Sequence, residues 1–536
     1  MQRADQLTRL RSDSNRLDVL IIGGGASGLG AAVDAAARGY RVGLIEQSDF
    51  AKGTSSRSTK LVHGGVRYLK QGNVPLVLEA LRERGRLARN APHLVSDMSF
   101  VIPNYSWWEG PFYEMGMKFY DRLAGKLGLG RSQRLSRQQA VEHLPTVETA
   151  GLVGGVLYHD GQFDDSRLAI NLAQTAEGLG AAVVNYCVCV GVIKERGVVA
   201  GVLVRDVESG DEFAIRALTV INATGVFVDA IRQFDEPNSR PIVAVSQGVH
   251  LVLPKRFLPG SSALMVPKTS DGRVLFAIPW HGCVVVGTTD TPGVPASIEP
   301  RAMAAEREFV MEHARKYLAE DLRENDVLSV FAGLRPLVSA GGAGDTAALS
   351  RGHTILVSAS KLITLTGGKW TTYRQMAEDV IDHAERVAGL VRRPSPTTAL
   401  AIHGSGSAPS AEKNLHAYGS DASGIAKLLK AEPKLATLLH PAFAIEQAEV
   451  VWHARQEMAR TVEDVLARRT RALVLDARAS IEAAPVAARL LAAELGRDAA
   501  WVEDQVRAYT AMARGYVFTD PASTGSRNAR DDSLNR

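Results

Sequence analysis

The sequence predicts an α/β protein in three parts: a Rossmann-like domain on a parallel sheet, a second domain on a mostly antiparallel sheet, and an all-α C-terminal domain. Three observations carry this. A strand, a glycine turn and a helix open the chain and lead directly into another strand; residues 242–290 are dense in strand formers separated by Pro, Gly and Asp; residues 413–515 turn to Ala, Leu, Glu and Arg at helical spacing. With 536 residues, 46% of them hydrophobic, the chain can bury several cores, which excludes disorder as its dominant state.

After a polar leader, residues 17–22 (LDVLII) form a short apolar, β-branched run that reads as a buried parallel strand. Residues 26–38 have helical composition and stop at Gly39, and 41–46 (RVGLIE) supply the second strand of a βαβ unit. Arg3, Arg9, Arg11 and Arg16 ahead of this apolar stretch imitate a secretory signal, but Gly23, Gly24, Gly25, Gly28 and Gly30 interrupt the hydrophobic helix such a signal needs. No uncharged apolar window of about 18 residues occurs elsewhere, so a soluble or peripheral protein is expected. Further along, 167–180 reads as helix, 182–193 as strand, and 218–225 (LTVINATG) as an apolar run entering a tight turn. The segments HLVLP, RVLFAIPW and CVVVGTTD suggest the antiparallel sheet, and 391–412, rich in Pro, Ser, Gly and Thr, reads as a linker. The last dozen residues are almost free of apolar side chains and are expected to be disordered.

The charge balance, 62 Lys and Arg against 58 Asp and Glu, leaves +4, too little for a nucleic-acid footprint over the whole chain. Anion recognition must therefore come from local cation clusters. Cys187, Cys189 and Cys283 are too few for a disulfide framework and lack zinc-site spacing, which points to a reducing, intracellular setting and to no structural metal. Cys187 and Cys189, two apart in an apolar run, read as small core residues of one strand.

The glycines at 23, 25 and 28 make G-x-G-x-x-G between a strand and a helix, with Glu46 closing the next strand. The first permits the turn, the second lets backbone N–H groups approach a pyrophosphate, the third lets helix and strand pack, and Glu46 accepts from ribose hydroxyls. The motif fits NAD or FAD. Residues 54–68 (TSSRSTKLVHGGVRY) favour FAD, because a flavin enzyme runs extended chain beneath the pyrophosphate and ring where an NAD dehydrogenase would continue into another βα unit.

The segments IIGGGASGLGAAVDAAARG, TSSRSTKLVHGGVRYL, INATG, PWHGCVVVGTTD, GLRP and GGKWTTYRQMAED together resemble the FAD-dependent glycerol-3-phosphate dehydrogenases, the quinone-linked or oxidase type, over residues 17–385. The helical tail is similar to that family's C-terminal domain. The resemblance implies an FAD-binding domain of the glutathione-reductase and D-amino-acid-oxidase kind over 17–90, 160–240 and 330–388. It also implies a substrate-binding cap over 91–159 and 241–329, a linker over 389–412, a helical domain over 413–515 and a disordered tail over 516–536. For FAD it implies Gly23, Gly24, Gly25, Gly28, Glu46, Thr54, Ser55, Leu61, His63, Gly64, Gly65, Ala223, Thr224, Gly225, Gly367, Gly368 and Lys369, with positive charge near the isoalloxazine favouring the reduced anion.

Glycerol 3-phosphate is small and mostly charge, so its site needs fixed cations for a phosphate dianion. Arg67 with Tyr68, Arg335, Arg351 and Lys369 are the candidates. Oxidation moves a hydride from C2 to the flavin while the C2 hydroxyl loses its proton. His250, in GVHLVLP, is the expected base, with Arg335 or Lys369 the alternative stabilisers of a developing alkoxide. An amine or 2-hydroxy-acid oxidase on the same fold, a glycerol-3-phosphate oxidase using oxygen, and a non-catalytic flavin sensor are the competing readings. The resemblance also implies membrane quinone as acceptor, peripheral attachment to the inner face of the cytoplasmic membrane and a homodimer. Arg-bearing apolar stretches of the tail such as LARRTRALVL could lie on anionic lipid.

Overall fold

A computed structural model describes residues 1–12, 16–66, 73–269, 272–318, 321–338, 352–406 and 413–518. Two sheets organise them. The first runs in the order His353–Val357, Ile363–Gly367, Glu212–Asn222, Leu17–Ile22, Val42–Ile45, Ala182–Val184, parallel except for the antiparallel pairing of its first two strands. Leu17–Ile22 lies at its centre because nearly every side chain is apolar and both faces are covered, by the helix Ala26–Ala37 among others. A meander of Cys187–Glu195 and Val198–Asp206 extends the long strand Glu212–Asn222. Cys187 and Cys189 are buried there, and burial pushes their thiols up to about 12 and about 11.

The second sheet is mostly antiparallel. Its axis is Val243–Pro254, which pairs with Cys283–Gly287 on one side and with Ser329–Val338 on the other. Val249, Leu251 and Leu253 point into one core, with Val310, Met311 and Ala314 of the helix Ala304–Tyr317. His250 and Val252 point the other way. On that face Val252, Trp280, Val285 and Phe331 share a core with Leu466, Ala472, Leu473 and Ala484 of the helical domain. One sheet face thus carries His250 at one point and the helical domain at the next.

Several sequence expectations are corrected. Residues 330–338 and Leu61–Val62, which fall within the ranges given above for the FAD-binding domain, pair within the second sheet. The polar leader contains a helix, Arg3–Arg11, whose buried side chains Arg3, Gln6 and Leu10 are mostly polar; Arg3 donates to Asp206 at 2.6 Å. The single strand expected over 182–193 is two, broken at Tyr186, whose φ is 54°. The segment 389–406 is pinned rather than loose: Thr397 and Ile402 are buried, and Asn90 Nδ2 donates to the Thr397 carbonyl at 3.0 Å. Tyr516 and Phe518, placed above in a disordered tail, are buried, Tyr516 by donating to Glu299 at 2.6 Å. Residues 519–536 lie outside the described residues.

The stretch LARRTRALVL does not face outward. Arg468, Arg469 and Arg471 are each 2% exposed and pair with acids of the nucleotide-binding part, Arg468 and Arg469 with Asp49, Arg471 with Asp165. Arg167 answers from the other side with a bidentate pair to Glu457 (2.7 and 2.8 Å). Buried guanidinium–carboxylate pairs of this kind fix how two surfaces meet, because displacing either partner strands a charge away from water.

Candidate active site

The glycine turn opens a groove of about 580 Å³. Gly23 has φ +111°, and a Cβ there would lie 2.6 Å from the Ala223 carbonyl oxygen, so the strand ends at 22 and 223 meet only without a side chain. Gly28 lies on the same turn from behind, where a Cβ would sit 1.9 Å from the Gly23 oxygen. Gly25 caps the helix Ala26–Ala37, whose first turn carries no acid; the positive end of that helix faces the groove. Glu46 lies on the wall, its carboxylate accepting from the Gly24 and Ser48 N–H groups (2.6 and 2.9 Å). Thr54, Ser55, Ala223, Thr224, Gly225 and Gly367 complete the lining among the residues expected from the sequence. Gly24 sits behind the wall against Glu46 and Phe50. A turn stripped of side chains, a helix N-terminus without acids and a carboxylate on the second strand together fit a dinucleotide's pyrophosphate and ribose.

This groove shares Thr54, Pro336, Gly368, Lys369 and Trp370 with a second cavity of about 340 Å³. Leu61, His63, Gly65, His250, Arg335 and Lys369 line it, so the three residues expected to act in the chemistry stand on one cavity. Gly64 instead lies behind the wall, its N–H donating to the Tyr120 hydroxyl at 2.8 Å. Arg67, Tyr68 and Arg351 lie outside the described residues.

The second sheet positions these groups. His250 is 2% exposed; its Nε2 meets Thr59 Oγ1 at 2.9 Å, and its ring stacks on Phe331 with centroids 4.7 Å apart and planes 10° from parallel. Opposite it in the sheet stands Gly287, where a Cβ would come within 2.3 Å of the imidazole. Burial, reinforced by the charges of Lys60 and Arg335, holds the imidazole well below its ordinary 6.5, so it is neutral at physiological pH. Arg335 is steered by Asp290 (3.3 Å), the Thr288 hydroxyl (3.3 Å) and the Thr289 carbonyl (3.1 Å). Lys369 has extended backbone and begins the turn Trp370–Thr372, whose indole donates to the Ser55 carbonyl at 2.9 Å and ties it to the groove.

Sequence reasoning missed Thr59, Asp290 and Arg57. Thr59 and Asp290 stand inside the quoted motifs TSSRSTK and VVVGTTD, but only the pairing of distant strands shows what they touch. Arg57 lines the cavity with its guanidinium committed to Glu299 at 2.6 Å, beneath the Tyr516 ring. An aromatic wall of Phe100, Tyr158 and Phe276 was equally invisible; Phe100 stacks on Tyr158 at 5.0 Å.

Comparison with known proteins agrees with this geometry. The FAD dependent oxidoreductase family matches residues 18–374, and the C-terminal domain of alpha-glycerophosphate oxidase matches 358–502. The mitochondrial glycerol-3-phosphate dehydrogenase of Homo sapiens is 40% identical over 551 residues, covering 96% of this chain and 75% of its own. A mitochondrial counterpart in Arabidopsis thaliana is 39% identical, covering 90% and 83%. Among solved structures, the glycerol-3-phosphate dehydrogenase of Bacillus halodurans complexed with FAD superposes with a TM-score of 0.79 at 28% identity, covering 97% of this chain and 98% of that one. The chain is a member of the FAD-dependent oxidoreductases and, within them, belongs to the glycerol-3-phosphate dehydrogenase family.

Proposed function

We propose that the protein oxidises sn-glycerol 3-phosphate to dihydroxyacetone phosphate and passes the electrons to a membrane quinone. The observation that carries the reading is one cavity holding His250, Arg335 and Lys369, in contact with a dinucleotide groove through Thr54, Gly368 and Lys369. The chemistry supplied by bound FAD is acceptance of the C2 hydride. Gly23, Gly25, Glu46, Ala223–Gly225 and Gly367–Lys369 hold that cofactor. Arg335 takes phosphate oxygens with its planar fork, and Lys369 adds a second positive charge at the junction of groove and cavity. His250 receives the proton of the C2 hydroxyl at Nε2 by way of Thr59 Oγ1, which lines the cavity, gives its own proton to Nε2 and takes the substrate's. The aromatic wall excludes water from the far side.

An anaerobic titration tests this directly. Glycerol 3-phosphate should bleach the yellow flavin band in stoichiometric amount, and glycerol, lacking the phosphate, should leave it nearly intact at the same concentration. Equal bleaching by both would remove the cation pair from substrate recognition.

No helix among the described residues is long and apolar enough to cross a membrane. The helix Glu109–Ala124 offers another mode of attachment. Trp108, Phe112, Met115 and Phe119 follow one another at spacings of four, three and four residues and, with Trp107, are 46% to 78% exposed, while Met117 and Tyr120 on the opposite side are buried. Tyr120 accepts from the Gly64 N–H and donates to Asp160, a residue of the catalytic cavity. The aromatic face suits the lipid interface and its inner side touches the active-site loop, which supports peripheral attachment beside the site of flavin reduction; the inner face of the cytoplasmic membrane and quinone as acceptor enter the proposal from the family resemblance. Phe112→Ser/Phe119→Ser removes two side chains whose burial contributes about 1.5 to 3 kcal/mol each, so partitioning onto phosphatidylglycerol vesicles should fall at least about 10²-fold with flavin reduction unchanged. Co-sedimentation reads it. Wild-type protein that stays in the supernatant as a dimer, and becomes monomeric on this double substitution, would assign the face to a second copy instead.

A further inference from the structure

A group of buried ions lies beneath His250 that the chemistry above does not use. Lys60 and Asp165 are both fully buried, and Lys60 Nζ donates to Asp165 at 2.7 Å and to the Ser56 carbonyl at 2.9 Å. Asp165 also accepts from the Ser58 backbone N–H (3.0 Å) and hydroxyl (2.7 Å), and from Arg471 Nη2 at 3.0 Å. Arg471 comes from the helical domain, and its Nη2 reaches the Ser56 carbonyl as well, at 2.9 Å. All these bonds converge on residues 56–60, the segment whose Thr59 meets His250.

The same ions also reach the histidine from its face. Lys60 Nζ sits 5.2 Å from the Phe331 ring centroid and 5.4 Å from that of Trp280, and the Arg471 guanidinium lies 5.5 Å from Trp280. Phe331 is the ring stacked on His250. Lys60 and Arg471, moreover, both adopt left-handed backbone, with φ of 64° and 65°. L side chains rarely take that conformation, and it persists where surrounding contacts over-determine it.

From this convergence we infer that Lys60, Asp165 and Arg471 are positioning residues for His250, and that the helical domain completes the active site by clamping the Thr59 segment through Arg471. The inference rests on His250 being the base of the proposed reaction. Arg471 lies between Asp165 and Asp164 (3.0 and 3.8 Å), so the cluster as a whole is near charge balance; the cation in it that bears on the imidazole is Lys60, 5.2 Å from the stacked Phe331 ring, and its charge disfavours the protonated form. The charged groups acting on the ring are Lys60 and Arg335; its other neighbours, Thr59, Phe331 and Gly287, are neutral.

The test uses FAD-loaded full-length protein and two readouts: the anaerobic rate of flavin reduction against pH, and the NMR titration of the His250 imidazole, assigned by its loss in His250→Asn. In Lys60→Met, Asp165 keeps Ser58 and Arg471, and both the acid limb of the rate and the imidazole titration should move up by about one pH unit. Ser58→Ala, which removes a hydrogen bond to Asp165 but no charged group, and Arg471→Met should each slow reduction by about 10- to 10²-fold per bound flavin while half-saturation by substrate stays within about twofold, and Arg471→Lys should recover part of the rate. An unmoved titration in Lys60→Met together with wild-type reduction in Ser58→Ala overturns the inference, and these two variants decide it even if Arg471→Met fails to fold. Wild-type flavin that glycerol 3-phosphate does not bleach refutes the proposed reaction instead, and leaves the imidazole titration to judge the ion cluster.

Discussion

Replacing Arg335 with methionine should lower kcat/KM for glycerol 3-phosphate by about three orders of magnitude and leave FAD bound. Hydrogen bonds to charged partners contribute about 1.5 to 3 kcal/mol each, and a guanidinium gripping two phosphate oxygens makes two of them, so about 4 kcal/mol, or 10³, is the expected scale. Methionine keeps most of the stem's volume, which confines the change to the fork. The loss has a second part with the same sign. Asp290, now 3.3 Å from Arg335 Nη1, would face an arriving dianion without its cation, and like charges repel. Arg335→Lys should fall between the two, because it restores the charge but not the planar pair of donors. Stopped-flow reduction with glycerol 3-phosphate and with glycerol separates the terms. Glycerol has no phosphate to lose, so both enzymes should reduce with it at the same slow rate. A methionine variant that saturates normally with glycerol 3-phosphate would take Arg335 out of phosphate recognition.

What the sequence made legible is what short segments determine. The turn at Gly23 to Gly28 and the strand 42–45 need only their own residues and immediate neighbours, so the glycine spacing and apolar runs disclosed them. The sheet to which Ser329–Val338 belongs was not legible, because an apolar run such as SVFAGLRPLV carries no mark of its partner; ten register pairs with Val243–Val252 define it, and every one is long-range. The opening helix was missed for a different reason. Its buried face is Arg3, Gln6 and Leu10, so apolar periodicity had almost nothing to register. LARRTRALVL misled in the opposite direction: arginines next to leucines read as a surface, and only the arrival of Asp49 and Asp165, roughly 300 to 420 residues away, makes their burial possible. The active site divides in the same way. Individual motifs named His250, Arg335 and Lys369, but the contacts that orient them, Thr59 on the imidazole and Asp290 on the guanidinium, cross between segments that no local pattern connects.

His250→Asn should slow flavin reduction by glycerol 3-phosphate by about 10² to 10⁴, the usual contribution of a positioned base, with substrate affinity little changed. Asparagine keeps a polar group near Thr59 and fits where Gly287 leaves room, so the deficit reads proton transfer more than packing. The pH dependence adds a signature. The folded-state imidazole titrates well below 6.5, so it is a free base throughout the neutral range, and the wild-type rate should hold its plateau down past pH 6.5 before falling. Stability runs the other way in the same window. Below about pH 6.5 the unfolded chain binds a proton at this histidine that the folded chain refuses, so ν is larger in the unfolded state and stability is lost as the pH falls. His250→Asn removes that group, so its unfolding midpoint should decline less between pH 6.5 and 5 than that of wild type, even as its activity is far lower. Thermal melts across this range, paired with single-turnover reduction, therefore show opposite changes from one substitution. A variant that reduces at the wild-type rate would transfer the proton-accepting role from His250 to Lys369 or water.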